Sequence, residues 1–120
     1  MDIIKFNDEL LIEMLLENIP EFKKNVISEF IFSSYLVFGD FGLFLTEEIL
    51  NRVKNFDLIE RAFNLLNRLG NDGDEKVIQM LRVTTFEILT DDNETIGTAM
   101  KYLKGNTLKI FLEVVVFIKG

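Results

Sequence analysis

The sequence predicts an all-α domain of about seven short helices. They would pack as stacked antiparallel hairpins, either a short α-solenoid-like array or an irregular bundle. Three observations lead there. Apolar residues recur at three- and four-residue spacings through most of the chain, the period of a one-sided helix. The breaks between these segments are only a few residues long, and short connections make successive helices run antiparallel. Only two stretches, Phe30 to Phe38 and Val114 to Ile118, are aromatic and β-branched enough for strands, and an isolated pair of strands is marginal. With 120 residues, 48% of them hydrophobic and 28% charged, the chain is expected to fold as a single domain, 1–120, with its own core.

Taken in order, the first helix runs from Asn7 to Asn18, with Leu10, Leu11, Met14, Leu15 and Ile19 inward and Asn7 or Asp8 as its cap. Pro20 ends it and suits the first turn of a second helix, Pro20 to Phe30, striped by Phe22, Val26 and Phe30. Phe30 to Phe38 reads as a helix tail entering a buried loop. Gly39-Asp40-Phe41-Gly42 reads as a turn, with Asp40 accepting backbone N–H groups at the start of a third helix, Phe41 to Asn55. Its inward set is Phe44, Leu45, Ile49, Leu50 and Val53.

Asp57 is the expected cap of the fourth helix, which buries Leu58, Ile59, Ala62, Phe63, Leu65, Leu66 and Leu69 and keeps Arg61 and Asn67 on its wet side. Gly70 is placed to end it in a left-handed conformation, opening the turn Gly70-Asn71-Asp72-Gly73. Asp74 or a residue nearby caps a fifth helix ending near Thr90. A sixth, Glu94 to Lys104, carries Ile96, Met100 and Leu103. After Gly105-Asn106 the last helix runs from Thr107 to Ile118.

Composition excludes several kinds of chemistry. There is no cysteine and no histidine, so disulfides, thiolate or imidazole metal sites and Cys or His catalytic pairs are ruled out. A net charge of −7 and a pI near 4.6 deny a general nucleic-acid binder its cationic footprint, and suit equally a basic protein partner or simple solubility. The N-terminus has no basic stretch leading into a long apolar run, and Val114 to Ile118 is too short to span a bilayer. A cytoplasmic protein without membrane contact is expected.

Chemical motifs are sparse. Asp40-Phe41-Gly42 matches the metal-binding triplet of protein kinases, but no glycine-rich phosphate loop accompanies it. The acidic loops Asp72-Gly73-Asp74-Glu75 and Asp91-Asp92-Asn93-Glu94 lack the EF-hand spacing and read as caps and turns. Twenty acidic residues bring carboxylates together by chance, and no nucleophile elbow, P-loop or HExxH spacing supports acid–base work. No enzyme and no cofactor is therefore expected.

The fifth helix is more informative. At about 100° per residue, Val77, Ile78, Leu81, Thr85, Ile88 and Leu89 share one face, while Glu75, Gln79, Arg82 and Phe86 line another, with Val83 and Glu87 beside it. Acceptor, amide, guanidinium and aromatic ring in one stripe suit a protein-binding surface. The plainer alternative is a helix sandwiched between neighbours, with Val83 and Phe86 buried.

Two stretches carry a resemblance. Leu36 to Leu45, LVFGDFGLFL, resembles the FGDF-type turn of a group of small all-helical bacterial proteins. Asp74 to Leu89, DEKVIQMLRVTTFEIL, is similar to that group's most recognisable helix, matching it at Glu75, Val77 and Glu87 and carrying Gln79 where the group has Asn. The turn Gly105-Asn106-Thr107-Leu108 into a last helix also fits. The group is similar to immunity proteins of contact-dependent and other polymorphic toxin systems. The resemblance implies binding to the C-terminal domain of a cognate toxin, often a nuclease, and occlusion of its active site. On that reading the stripe of the fifth helix supplies the expected contact residues, Glu75, Gln79, Arg82, Phe86 and Glu87, with Asp40, Glu47 and Asp72 as outlying candidates. A non-catalytic helical adaptor for another protein is the competing expectation, and oligomeric state is left open.

Overall fold

The computed structural model describes residues 2–26 and 32–120. Among them are α1 (Asp8–Asn18), a 3-10 turn (Pro20–Asn25), α2 (Ser34–Leu50), α3 (Phe56–Asp72), α4 (Glu75–Leu81), a π-helical turn (Arg82–Phe86), α5 (Glu87–Leu89), α6 (Asn93–Tyr102) and α7 (Gly105–Lys119). The fold is all-α. Its principal extents of 32 × 29 × 25 Å are nearly equal, which makes it an irregular bundle and not an elongated solenoid. The only β pairing among the described residues is an isolated parallel bridge between Ile4 and Gly73.

Helix α1 follows from its cap and its inward stripe. The Asn7 side chain accepts from the Leu10 N–H at 2.9 Å, and Leu11, Met14, Leu15 and Ile19 are buried. Leu10 is exposed, and Ile12 takes its expected place in the core. Pro20 opens a 3-10 turn, where an α-helix was expected, and that turn buries Phe22. The rest of the expected second helix, residues 27–30, lies outside the described residues, as do residues 30–31 of the expected Phe30 to Phe38 loop.

The largest departure from expectation is α2. Ser33 caps it, its side chain accepting from the Leu36 N–H, so Ser34 to Phe38 are helix and not loop. The helix then runs unbroken through Gly39-Asp40-Phe41-Gly42, where a turn was expected. Asp40 therefore caps nothing and stands half-exposed in mid-helix. The reason is periodicity. Val37, Phe38, Phe41, Phe44, Leu45 and Ile49 form one uninterrupted buried face. Burying its aromatic rings outweighs the ~1 kcal/mol that each mid-helix glycine costs. Because α2 ends at Leu50, Leu50 and Val53 are exposed and not inward as expected. The Lys54 ammonium folds back to donate to the carbonyls of Ile49 and Asn51, closing the free C-terminal end.

Helix α3 buries all seven residues expected of it. Its cap is Asn55, which accepts from the Leu58 N–H at 3.1 Å. Asp57 lies in the first turn and pairs with Arg61 at 2.9 Å. Gly70 does not end the helix, which continues to Asp72. A Cβ at Gly70 would stand 2.7 Å from the Thr107 Cβ, so glycine here admits α7 and terminates nothing. The left-handed glycine lies elsewhere, at Gly105 (φ 59°), the first residue of α7. Asn71 caps α7 from across the interface, its side-chain oxygen accepting from the Asn106 N–H at 2.8 Å and the Thr107 N–H at 3.3 Å. Asn67, expected on the wet side, joins the same clamp. Its oxygen accepts from the Lys104 N–H at 2.8 Å, and its amide donates to the Tyr102 carbonyl at 3.0 Å.

Arg61 is also drawn in from the wet side. It holds Glu21 bidentately at 3.0 and 2.5 Å and donates to the Asn18 carbonyl at 2.9 Å, so α3 is tied to the end of α1 and the 3-10 turn. Hydrogen bonding from Arg61 lowers the Glu21 carboxyl from 4.5 to about 2. A depressed carboxyl stabilises the fold above its unfolded value, and that stability is lost as pH falls through the folded one. The expected result is a progressive loss between about pH 5 and pH 2, shallower in Glu21→Gln by roughly 0.5–1 kcal/mol, since partly exposed pairs contribute little more. Urea unfolding of both proteins across that range measures it; equal slopes would exclude a role for the pair.

The N-terminal segment is anchored to the α3–α4 junction. The Ile4 N–H donates to the Asp72 carbonyl at 2.7 Å, and the Ile4 carbonyl accepts from Asp74 at 2.9 Å. The Asp74 carboxylate accepts from the Phe6 and Val77 N–H groups, both at 2.9 Å, and these bonds lower its pKa. It thus caps α4, as the sequence suggested, and holds residues 4–6 as well. In α6, Leu103 is buried at its end, Ile96 is half-buried and Met100 faces outward.

Candidate protein-binding face

Residues 75–89 form one continuous rod of α4, the π turn and α5. The π turn decides which side chains face solvent. One extra residue in a turn sets everything beyond it back by about 100° relative to an unbroken α-helix. On an unbroken helix Phe86 would stand in line with Glu75, Gln79 and Arg82. The setback carries it instead onto the side of Val77 and Leu81. It is fully buried, packed edge-to-face on Phe111 with ring centroids 5.6 Å apart. Its expected place in the contact stripe is thereby corrected. The same rotation brings Glu87, which is exposed, to the stripe that Phe86 vacates.

Two threonines stabilise the widened turn. Thr84 donates its hydroxyl to the Met80 carbonyl one turn back at 2.6 Å, and Thr85 donates to the Phe38 carbonyl on α2 at 2.7 Å. The α2 crossing is close. A Cβ on Gly42 would stand 3.1 Å from the Thr85 Cα and 3.1 Å from the Ile88 Cδ1.

Two adjoining grooves flank the exposed stripe. One, of about 360 Å³, is bounded by Tyr35 of α2 and by Glu75, Lys76, Ile78, Gln79 and Arg82. The other, of about 410 Å³, lies between the rod and α7, where Gln79, Arg82, Val83 and Glu87 face Glu113, Phe117 and Ile118. Gln79 and Arg82 border both. Arg82 donates to Glu113 at 2.9 Å, fixing its guanidinium between the rod and α7. The apolar content of this surface comes mainly from α7, where Phe117 is 87% and Val116 69% exposed, with Val83 exposed on the rod.

The structure thus brings together Glu75, Gln79, Arg82 and Glu87 of the expected set. Asp40 and Glu47 lie apart, lining a shallow depression of about 160 Å³ with Asn25, Leu43 and Phe44. Asp72 ends α3 half-buried and borders neither groove. Phe117, Val116, Glu113 and Tyr35 were not foreseen. The run Val114 to Ile118 signals buried structure by composition, and only the position of α7 at the edge of the bundle exposes its last turn.

Among the described residues no three or more acidic side chains group as a metal site, and every buried side-chain nitrogen or oxygen has a hydrogen-bond partner. No helix among them is long and apolar enough to cross a membrane. The face offers carboxylates, the Lys76 ammonium, one paired guanidinium, an amide and exposed rings, a set suited to recognition between proteins.

No curated protein and no solved structure matches the chain. One family model matches residues 12–118, nearly its whole length and all the helices that build the face. The chain belongs to that family, described as a domain of unknown function (DUF7674).

Proposed function

We propose that this chain is a stoichiometric protein-binding domain, and that its partner is a cognate toxin domain whose active site it occludes. The observation that carries the binding reading is Phe117, 87% exposed beside Val116 and Val83 and bordered by Glu87, Glu113 and Arg82. An apolar centre ringed by charge is the anatomy of an interface. The acidic balance of −7 favours a basic partner surface, such as the substrate channel of a nuclease. The toxin reading rests on the resemblance of DEKVIQMLRVTTFEIL to immunity proteins of polymorphic toxin systems. Phe117 takes the anchoring role first expected of Phe86, and Glu75 and Glu87 stand in for phosphates.

The test is growth rescue. Cells expressing the protein encoded beside this chain should stop growing, and co-expression of the chain should restore growth. A neighbouring product that is harmless, or toxicity that the chain does not relieve, would favour the adaptor reading. Within the complex, Glu87→Lys is expected to slow association by about three- to tenfold at low salt and to flatten its salt dependence. Stopped-flow mixing at two ionic strengths measures this. A wild-type rate indifferent to salt would exclude electrostatic mimicry.

A further inference from the structure

Helix α2 carries a second unpartnered line on its outward side. Leu36, Leu43 and Leu50 follow one another at seven-residue steps and are 48%, 55% and 42% exposed. Asp40 and Glu47 each follow a leucine by four positions. The core-facing side of α2 is supplied by Val37, Phe38, Phe41, Phe44, Leu45 and Ile49, and among the described residues these leucines stand outside the buried core. With Leu36, Leu43 and Leu50 at one seam position of a heptad, the small residues Gly39 and Thr46 take the other and Asp40 and Glu47 flank it, so the line can accept a second helix approaching closely alongside. From Leu36 to Leu50 that seam spans about 21 Å at ~1.5 Å per residue, long enough for two heptads of contact.

We propose that this seam docks one amphipathic helix of a protein partner, bearing an apolar heptad line flanked by lysine or arginine. Charge selects this occupant over a second copy of the chain. Two copies pairing along the seam would set Asp40 and Glu47 of one against the same carboxylates of the other, on molecules of net charge −7. A basic flank meets complementary charge instead. Asp40 and Glu47 also share, with Leu43, Asn25 and Phe44, the depression of about 160 Å³ beside the seam, a place for a cationic side-chain head. The seam is on a different helix from the Phe117 face, and the proposal holds whether or not that face binds a toxin.

The probe is a synthetic amphipathic helix of about three heptads, apolar at the seam positions and flanked by lysine, with a glutamate-flanked counterpart. Fluorescence anisotropy gives the affinity, and NMR shift mapping gives the location. The lysine-flanked peptide is expected to bind wild type at least about tenfold more tightly than its counterpart and to shift the amides of Leu36 to Leu50. Leu43→Asp should weaken it by a similar factor. The double change Asp40→Lys and Glu47→Lys should reverse the preference between the peptides, and it keeps the test decisive if Leu43→Asp fails to fold. Equal affinity for both peptides, shifts located elsewhere, or a wild-type dimer that Leu43→Asp dissociates would each overturn the proposal.

Discussion

Replacing Phe86 with alanine is expected to remove about 3–5 kcal/mol of folding stability, the cost of emptying a buried aromatic site. The ring is fully enclosed and meets Phe111 edge-to-face at 5.6 Å, so its loss leaves a cavity between the rod and α7. Small domains hold about 5–15 kcal/mol in total, and the variant should melt more than ~10 °C below wild type. On an unbroken helix the same ring would face outward, and its removal would change stability by about 0.5 kcal/mol at most. Urea unfolding therefore reads out whether Phe86 is enclosed against α7 or faces solvent. A loss under about 1 kcal/mol would mean that Phe86 lies on the surface and that the stripe was correctly aligned without the turn.

The second large effect separates two glycines three positions apart on α2. Gly42→Ala is expected to destabilise by about 1–3 kcal/mol, because its methyl would press on the Thr85 backbone and on Ile88, where neither can easily retreat. Gly39→Ala should stabilise by roughly 0.5–1 kcal/mol, since a Cβ there has nothing within 4 Å and alanine is the better helix former. Opposite signs from the same chemical change would locate the close helix crossing at Gly42. If both substitutions stabilise, α2 does not approach the π turn as closely as described; if both destabilise, the stretch is a turn.

The buried face of helix α3 was legible because its apolar residues keep one period from Leu58 to Leu69. Its cap is Asn55 where Asp57 was expected, and the inward turn of Arg61 and Asn67 depends on partners distant in sequence. Helix α2 was misread because two glycines and an aspartate are strong turn signals. They were outweighed by an aromatic face whose burial appears only once a neighbour, the π turn, is in place. Gly70 was misread for a related reason. A glycine needed for the approach of Thr107 looks, in sequence, like a glycine that ends a helix. The candidate face was half legible. Glu75 and Gln79 precede the π turn and Arg82 opens it, so their alignment follows from ordinary helical spacing. Phe86 and Glu87 lie at or beyond the widened turn, and no local signal announces the extra residue that exchanges their roles.

On the proposed reading, the surface shared by the 75–89 rod and the end of α7 binds a protein. The most direct measurement is a calorimetric titration of this chain, wild type and Phe117→Asp, with the purified product of the neighbouring reading frame, circular dichroism confirming that both are folded. A one-to-one complex with wild type is predicted, weakened by at least about 2 kcal/mol, roughly thirtyfold, when the exposed anchor becomes a charge. Equal affinity of the two proteins would contradict it, since binding would then be seated somewhere other than on Phe117.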